Sequence, residues 1–590
     1  MPHFLEYERT ILEEINEKST VVVCARGIST DNVVGELLNM YADDFSLCLV
    51  LNCDRTEINH FKNTVLSKKK FYDITRTQIH RRKKEYKGGG VFFGTARCFL
   101  TDFVNKNIQV DKISTIFIMN AHKVREHSSI AFILHIFREY NALHLVKAFV
   151  TSPLQLTQSI SDLCYTLQCQ TVKFLPRFKE CFNEFKEFNF EHIGLNQSTQ
   201  LHRIADLITD MIDILLQIEF KSLPRDLIPN YKDAVICLKY RDNSDIRNFI
   251  CLLNLLYNVD PLTLYIFYGK MLYAQNDLGE KGSWGFSEVA HEIFEEITNY
   301  AENEFIDLKD VKFNTEVDEG TYTCSSTNEG ESDREHIQIE DYLSVVETQF
   351  DKNNKLETLR RLVQENREKR ILILVQNKIV EKVVRTVVRD AVIETHGMLK
   401  YLEFNYDVVV MLNLNLCSFR LLEYKFTTGN EFELFVLCYN NSVEEEFYFE
   451  ETEREREQFE KMMAERITVP IKQEIEYFDM EDNNENGFVI VVDVRETRSK
   501  LPFYLHKTRN KIEIKTLPIG DYEMNVGDDQ IIIERKSVTD FKNSINSNRL
   551  YHQGHRMCNA YKYPFLLLEF DSGMPTFYGY ENDNVYGRTM

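Results

Sequence analysis

Along residues 20 to 150, short apolar runs (TVVVCARG, FSLCLVLNC, GGVFFGTARC, STIFIMNA and LVKAFVTS) alternate with intervals of helical periodicity such as SSIAFILHIFREYN. Short apolar strands separated by amphipathic helices predict a parallel α/β sheet, here a first lobe over residues 1–155. From there to residue 305 the period changes to 3.6. Leu201, Ile204, Leu207, Ile208, Met211, Ile212, Leu215 and Leu216 fall on one continuous face, which predicts a helical unit over residues 156–305. The stretch TEVDEGTYTCSSTNEGESDREH is acidic, polar and poor in large aliphatics, and predicts a disordered linker over residues 306–340.

Apolar runs return in RILILVQN, YDVVVMLNL and FELFVLCYN, so residues 341–470 read as a second α/β lobe. Its last segment, SVEEEFYFEETEREREQFEKMMAER, reads as a solvated helix laced with i,i+4 charge pairs. The acidic stretch EIEYFDMEDNNENG then forms a linker at 471–487, ahead of a final α/β segment over 488–590 that starts at FVIVVDVRE. A chain of 590 residues exceeds one hydrophobic core, and about three or four domains fit it.

Composition narrows the setting. With 43% hydrophobic and 27% charged residues the chain lies in the ordinary globular range, and no stretch approaches the apolar length of a membrane span. The 13 cysteines are odd in number and lack zinc spacing, so they read as reduced thiols of an intracellular protein. A net charge of −22 argues at first against a nucleic-acid partner. Its distribution reverses that: residues 487–571 carry 13 Lys+Arg against 11 Asp+Glu, and residues 1–150 carry 21 against 17. Local potential governs attraction to phosphates, so these two segments can hold DNA.

Two α/β units around a helical insert suggest the paired RecA-like lobes of a helicase. Such a motor needs a Gly-rich loop ending in Lys-Ser/Thr and an acidic pair that holds Mg2+. The candidate loop CARGISTDN has no such lysine, and the place for the acidic pair reads Asn120-Ala121-His122. Without those charges phosphoryl transfer loses most of its electrostatic stabilisation, so a degenerate platform without ATP hydrolysis is expected. The triple glycine 88–90 precedes a strand and reads as a turn.

Chemistry concentrates in the last segment, where VIVVDVRE, TLPIGDYEM and IIIERKS each place an acid after an apolar run. Period 2 puts Glu534 and Lys536 on one strand face with Arg535 opposite. Pro518, Asp521, Glu534 and Lys536 fit P-x2-D-x12-E-x-K, the loose pattern of metal-dependent nucleases with a restriction-endonuclease-like core. Carboxylates suit Mg2+, a hard cation, and a lysine beside them can orient the nucleophile or screen the developing oxyanion. Taken alone, E-x-K after an apolar strand is a weak signal.

The neighbouring elements sharpen it. Gly520-Asp521, then Glu534-Arg535-Lys536 and Asp540, with VDVRETRSKLP, NRLYHQ and PFLLLEFD around them, resemble the nuclease signature of the XPF family of structure-specific DNA repair endonucleases. Upstream, VVVCARG, GGGVFFGTAR, FLTDFVN, NAHKVREHSSIAFILHIFRE and YNNSVEEEFYFEETEREREQFEKM are similar to the degenerate helicase half of the same family, in the same order.

The resemblance implies a catalytic subunit that cuts one DNA strand at junctions of duplex and single strand, on splayed-arm, bubble or related substrates. The setting would be nucleotide excision and crosslink repair in the nucleus, with Mg2+ as cofactor and Mn2+ as its substitute. It implies Asp493, Asp521 and Glu534 as metal carboxylates and Lys536 as the catalytic lysine. Arg495 and Arg535 would contact phosphates or support the site, Arg549 and Gln553 would contact DNA, Glu496 would support the site, and Asp540 would cap the helix FKNSINSNRL or serve catalysis. The interval NVGDDQ between Asp521 and Glu534 implies a longer hairpin than the family pattern. Family members continue into tandem helix-hairpin-helix modules that bind DNA and a non-catalytic partner subunit. The tail MPTFYGYENDNVYGRTM offers no hairpin pair, so 488–590 reads as a shortened nuclease domain with partner binding left open. The alternative reading is an inactive DNA-binding scaffold that recruits repair partners.

Overall fold

The computed structural model describes residues 4–41, 45–64, 70–140, 145–220, 224–225, 228–236, 244–277, 284–304, 353–468, 488–527 and 529–570. The linkers expected at 306–340 and 471–487, the start of the second lobe at 341–352 and the tail 571–590 lie outside them.

The strands, in chain order, are β1 (Thr20–Cys24), β2 (Leu47–Leu51), β3 (Phe71–Asp73), β4 (Gly90–Gly94), β5 (Ile113–Ile118), β6 (Leu145–Val150), β7 (Thr171–Leu175), β8 (Phe190–Asn196), β9 (Ile371–Val375), β10 (Val392–Thr395), β11 (Val408–Met411), β12 (Glu433–Asn440), β13 (Val489–Asp493), β14 (Lys511–Lys515), β15 (Tyr522–Val526), β16 (Asp529–Ser537) and β17 (Tyr563–Glu569). They form three sheets, ordered β3-β4-β2-β5-β6-β1-β7, β10-β9-β11-β12-β8 and β14-β13-β15-β16-β17. The first two are wholly parallel. Their central strands, such as VVVC of β1 and ILILV of β9, are buried along their length, as sheets covered by helices on both faces require. The third sheet is mixed, with β15 antiparallel to both its neighbours.

Two strands move the expected boundaries. β7 lies beyond residue 155 yet closes the edge of the first sheet beside β1. β8 falls in the stretch expected to be helical and instead pairs in parallel with β12 at the edge of the second sheet. Edge strands half-open to solvent carry few apolar residues, and β8 (FEHIGLN) has little apolar period to read. The helical unit is therefore an insertion within the second lobe, starting at Thr199, and its apolar face packs with Ile371, Ile373 and Val408 of that lobe in one core.

The charged helix Val443–Thr468 is a further correction. It is not merely a solvated rod, because Glu455 is buried and Phe459 and Met462 enter the core of the first lobe. Glu451, Glu455, Phe459 and Met462 recur at i, i+4, i+8 and i+11, one stripe turned inward among charges turned out.

The C-terminal unit, which carries the third sheet, rests on the first lobe. Asn105 donates from Nδ2 to the carbonyl of Ile514 at 2.8 Å and accepts the Ile514 N–H on Oδ1 at 2.9 Å, so a side-chain amide pairs with edge strand β14 as a neighbouring strand would. Ser129 Oγ donates to the Thr497 carbonyl at 2.8 Å.

Candidate active site

Sheet register brings the three acids together. Val492 of β13 lies opposite Tyr522 of β15, and Tyr522 lies opposite Ile533 of β16. Both pairings are antiparallel, so Asp493, Asp521 and Glu534, each one residue on from that row, share the next one. The backbone ties it: Asp493 N–H donates to the Asp521 carbonyl at 2.8 Å, and Asp521 N–H donates to the Ile533 carbonyl at 2.9 Å. Gly520 makes the turn feasible, with φ +73° and a space in which a Cβ would stand 2.5 Å from Ile532 Cγ1.

Glu534 and Lys536 share the buried face of β16 with Ile532, and Arg535 faces away, as period 2 predicts. Lys536 Nζ donates to Glu534 Oε1 at 2.6 Å, and Gln553 Nε2 from the helix Arg549–Ala560 donates to the same oxygen at 2.7 Å. Asp521 accepts the Arg535 N–H on Oδ2 at 2.8 Å. Burial first, and then the negative charges of Glu534 and Glu496, push the Asp521 carboxyl up to about 6 against the hydrogen bond from Arg535 and the charge of Lys536.

Asp493 is fully buried, yet its carboxyl sits below the usual range. Burial alone would raise it; hydrogen bonds from Arg495 and from the Leu517 N–H outweigh that. Oδ1 accepts the Arg495 N–H at 2.8 Å and its Nε at 2.6 Å, while Oδ2 accepts the Leu517 N–H at 2.7 Å. Arg495 remains largely exposed above the acids.

The other expected residues stand apart. Arg535 lies between two carboxylates, donating to Glu496 Oε2 at 3.3 Å and to Glu569. Glu496 also accepts the Tyr522 hydroxyl at 3.3 Å, which places it as a brace beneath the sheet. Arg549 Nη2 donates to Ser544 Oγ at 2.9 Å. Asp540 is exposed in the first turn of the helix Val538–Asn546, and the cap is Ser537, whose hydroxyl accepts the Asp540 N–H at 3.2 Å. The helix starts earlier than the apolar period at Phe541 indicated, which moves Asp540 from cap to first turn.

Glu569 escaped the sequence reading as a partner of Arg535, although the glutamate after the apolar run of PFLLLEFD was its signal; β17 runs parallel to β16 and carries it alongside.

The donor set fits a hydrated divalent cation. Asp521 and Glu534 stand on one sheet row, close enough for the charge of Glu534 to act on Asp521, and Gln553 Oε1 is buried without a partner among the described residues, an acceptor suited to a metal-bound water.

Between the lobes, the loop after β1 meets the second lobe closely. A Cβ on Gly27 of the loop after β1 would lie 2.6 Å from the Cys417 carbonyl of the second lobe. Beside it Glu455 accepts the Arg26 N–H at 2.8 Å and pairs with Arg420 at 2.6 Å, while Arg420 also donates to the Arg26 carbonyl at 2.9 Å. Lys400 of the second lobe reaches Asp31 at 2.8 Å.

Comparison with known proteins places these features in company. Residues 492–587 match the ERCC4 domain model. The DNA repair endonuclease XPF of Cricetulus griseus is 24% identical across 98% of this chain and 82% of its own length. XPF of Drosophila melanogaster is 23% identical across 97% and 76%, and DNA repair protein rad16 of Schizosaccharomyces pombe is 23% identical across 96% and 82%. The Hef helicase domain of Pyrococcus furiosus aligns over 76% of this chain and 98% of its own at 14% identity and a TM-score of 0.46, too loose a likeness to argue from.

Proposed function

The chain belongs to the XPF family of DNA repair endonucleases, and from that premise we propose that it cuts one strand of DNA near junctions of duplex and single strand by metal-dependent phosphodiester hydrolysis, in nucleotide excision and crosslink repair in the nucleus. The observation that carries the reading is the convergence of Asp521 and Glu534 with Lys536 and Gln553 in one buried corner of the third sheet.

Asp521 and Glu534 would hold Mg2+, or Mn2+ in its place. Asp493 would join them only by giving up its bond from Arg495, and otherwise fixes the end of β13 beside them. The ion would supply a coordinated water of lowered pKa and charge neutralisation at the attacked phosphate. Lys536 holds Glu534 in orientation and places an ammonium beside the reacting phosphate. Arg495, exposed over the acids, is placed to take a phosphate oxygen of the strand. Arg535 supports the corner from behind through Glu496 and Glu569.

The helicase-like half would serve as a binding platform for DNA, and the contacts of its two lobes through Gly27 and Arg420 support that reading. A second, non-catalytic subunit of the family is the expected partner.

Cleavage of end-labelled splayed-arm DNA by wild type, Asp521→Ala and Lys536→Ala, with Mg2+ or Mn2+, tests the reading. Wild type should cut near the junction and both variants should lose at least about 100-fold in rate. Equal cutting by all three would refute the site. Junction binding without cutting in any of them would favour a recruiting scaffold.

A further inference from the structure

Away from the acids of the third sheet, three metal-ligating side chains meet across the seam between the first lobe and the nuclease unit. His135 and Glu139 lie one turn apart on the helix Ser129–Tyr140, and His506 lies on the helix Leu501–Lys507. One donor atom from each falls within 4.8 Å of the other two. His135 Nε2 stands 3.2 Å from Glu139 Oε1, close to the ~3.3 Å edge of a tetrahedron whose bonds are about 2.0–2.1 Å.

The surroundings suit an ion better than an ion pair. Phe132 packs on His506 at 5.1 Å and Phe503 on His135 at 5.5 Å, so an aromatic floor holds both imidazoles. His506 Nδ1 is buried and has no hydrogen-bond partner among the described residues, which costs free energy unless something binds it. Burial keeps His506 on the neutral side of its usual range against the charge of Glu139, and neutral imidazole is the ligating form. Glu139 sits below its usual range: burial would raise it, but the His135 hydrogen bond and the charge of Arg509 hold it low.

We propose that His135, Glu139 and His506 form a binding site for a divalent transition metal, Zn2+ by chemical class, which joins the nuclease unit to the first lobe. Two imidazoles and one carboxylate favour such an ion over Mg2+, and three protein ligands leave a fourth position for water. The site is separate from the acids that serve cleavage and asks nothing of them.

Co2+ titration of the full chain after chelation tests this, because four-coordinate Co2+ bound to histidine absorbs strongly in the visible and a Co2+ held by oxygens alone absorbs weakly. Wild type and Asp521→Asn should each give the intense bands at one equivalent, and added Zn2+ should abolish them. His506→Gln and Glu139→Gln should weaken Co2+ binding by about 100-fold or more, beyond what loss of an outer-shell partner alone produces. Zn2+ should raise the melting temperature of wild type and not of either variant. Intense bands that persist in a folded His506→Gln protein, or that are absent from folded wild type, would overturn the assignment, and Glu139→Gln decides if His506→Gln does not fold.

Discussion

Asp521→Asn should make the metal-free protein more stable at neutral pH while removing its cleavage. The wild-type carboxyl is pushed from 3.8 to about 6 in the fold. A folded-state pKa raised above the unfolded value means that the fold binds the proton more tightly. The associated stability is complete below about pH 4 and is lost as pH rises through about 6. The shift corresponds to at most ~3 kcal/mol at about 1.4 kcal/mol per pH unit. Because Asp521 is only partly buried, ~1–2 kcal/mol is the expected size.

Asparagine keeps an oxygen for the Arg535 N–H and carries no charge at any pH, so the variant escapes that loss. Asp493, whose depressed pKa stabilises above its unfolded value and fails as pH falls, is present in both proteins and cancels. Denaturant unfolding of the nuclease unit in chelator, from pH 4 to 8, should show the variant gaining ~1–2 kcal/mol on wild type between pH 4 and about 6.5, then a plateau. In Mg2+ at about 100 times its dissociation constant, wild type should recover roughly 2.7 kcal/mol that the variant does not. A difference that is flat across pH, or that grows toward acid, would refute the account of Asp521 as a carboxyl raised by burial and by its acidic neighbours.

Three further outcomes follow from other contacts. Gly520→Ala should destabilise the nuclease sheet by ~2–5 kcal/mol, the left-handed backbone and the collision with Ile532 acting together, read as faster amide exchange along β15 and β16. Gln553→Ala should weaken Mg2+ dependence of cleavage by about 10- to 100-fold through a looser Glu534, with amide exchange in the sheet unchanged. Arg420→Ala should cost ~3–5 kcal/mol by leaving buried Glu455 with its charge unmatched, visible as faster exchange in the helix Val443–Thr468, whereas Arg420→Ala with Glu455→Gln should recover part of it.

What could be read beforehand followed from periodicity. The buried central strands announce themselves as apolar runs, and period 2 sorted Glu534 and Lys536 from Arg535 correctly. Edge strand β8 was invisible because only Ile193 and Leu195 of its side chains are partly buried and its partner β12 lies more than two hundred residues along the chain. The inward stripe of the helix Val443–Thr468 was masked by the glutamates around it, one of which, Glu455, is itself buried. The spacing of the acids could not tell that Asp493 has its oxygens committed to Arg495 and Leu517, since those bonds depend on where β13 ends against the following turn. His506 lay unmarked because its neighbours belong to a helix some 370 residues earlier.

The amide of Asn105 has a meaning for anyone who would study the nuclease unit by itself. On its own, that sheet would present β14 with an unmet N–H and C=O at Ile514, the kind of open border that recruits a strand from another molecule. At the far border, β17 already bares Phe565, Leu566 and Leu567. Excision would thus turn a sheet with one guarded side into one with two exposed ones, and a fragment starting near residue 488 should self-associate more readily than the longer chain.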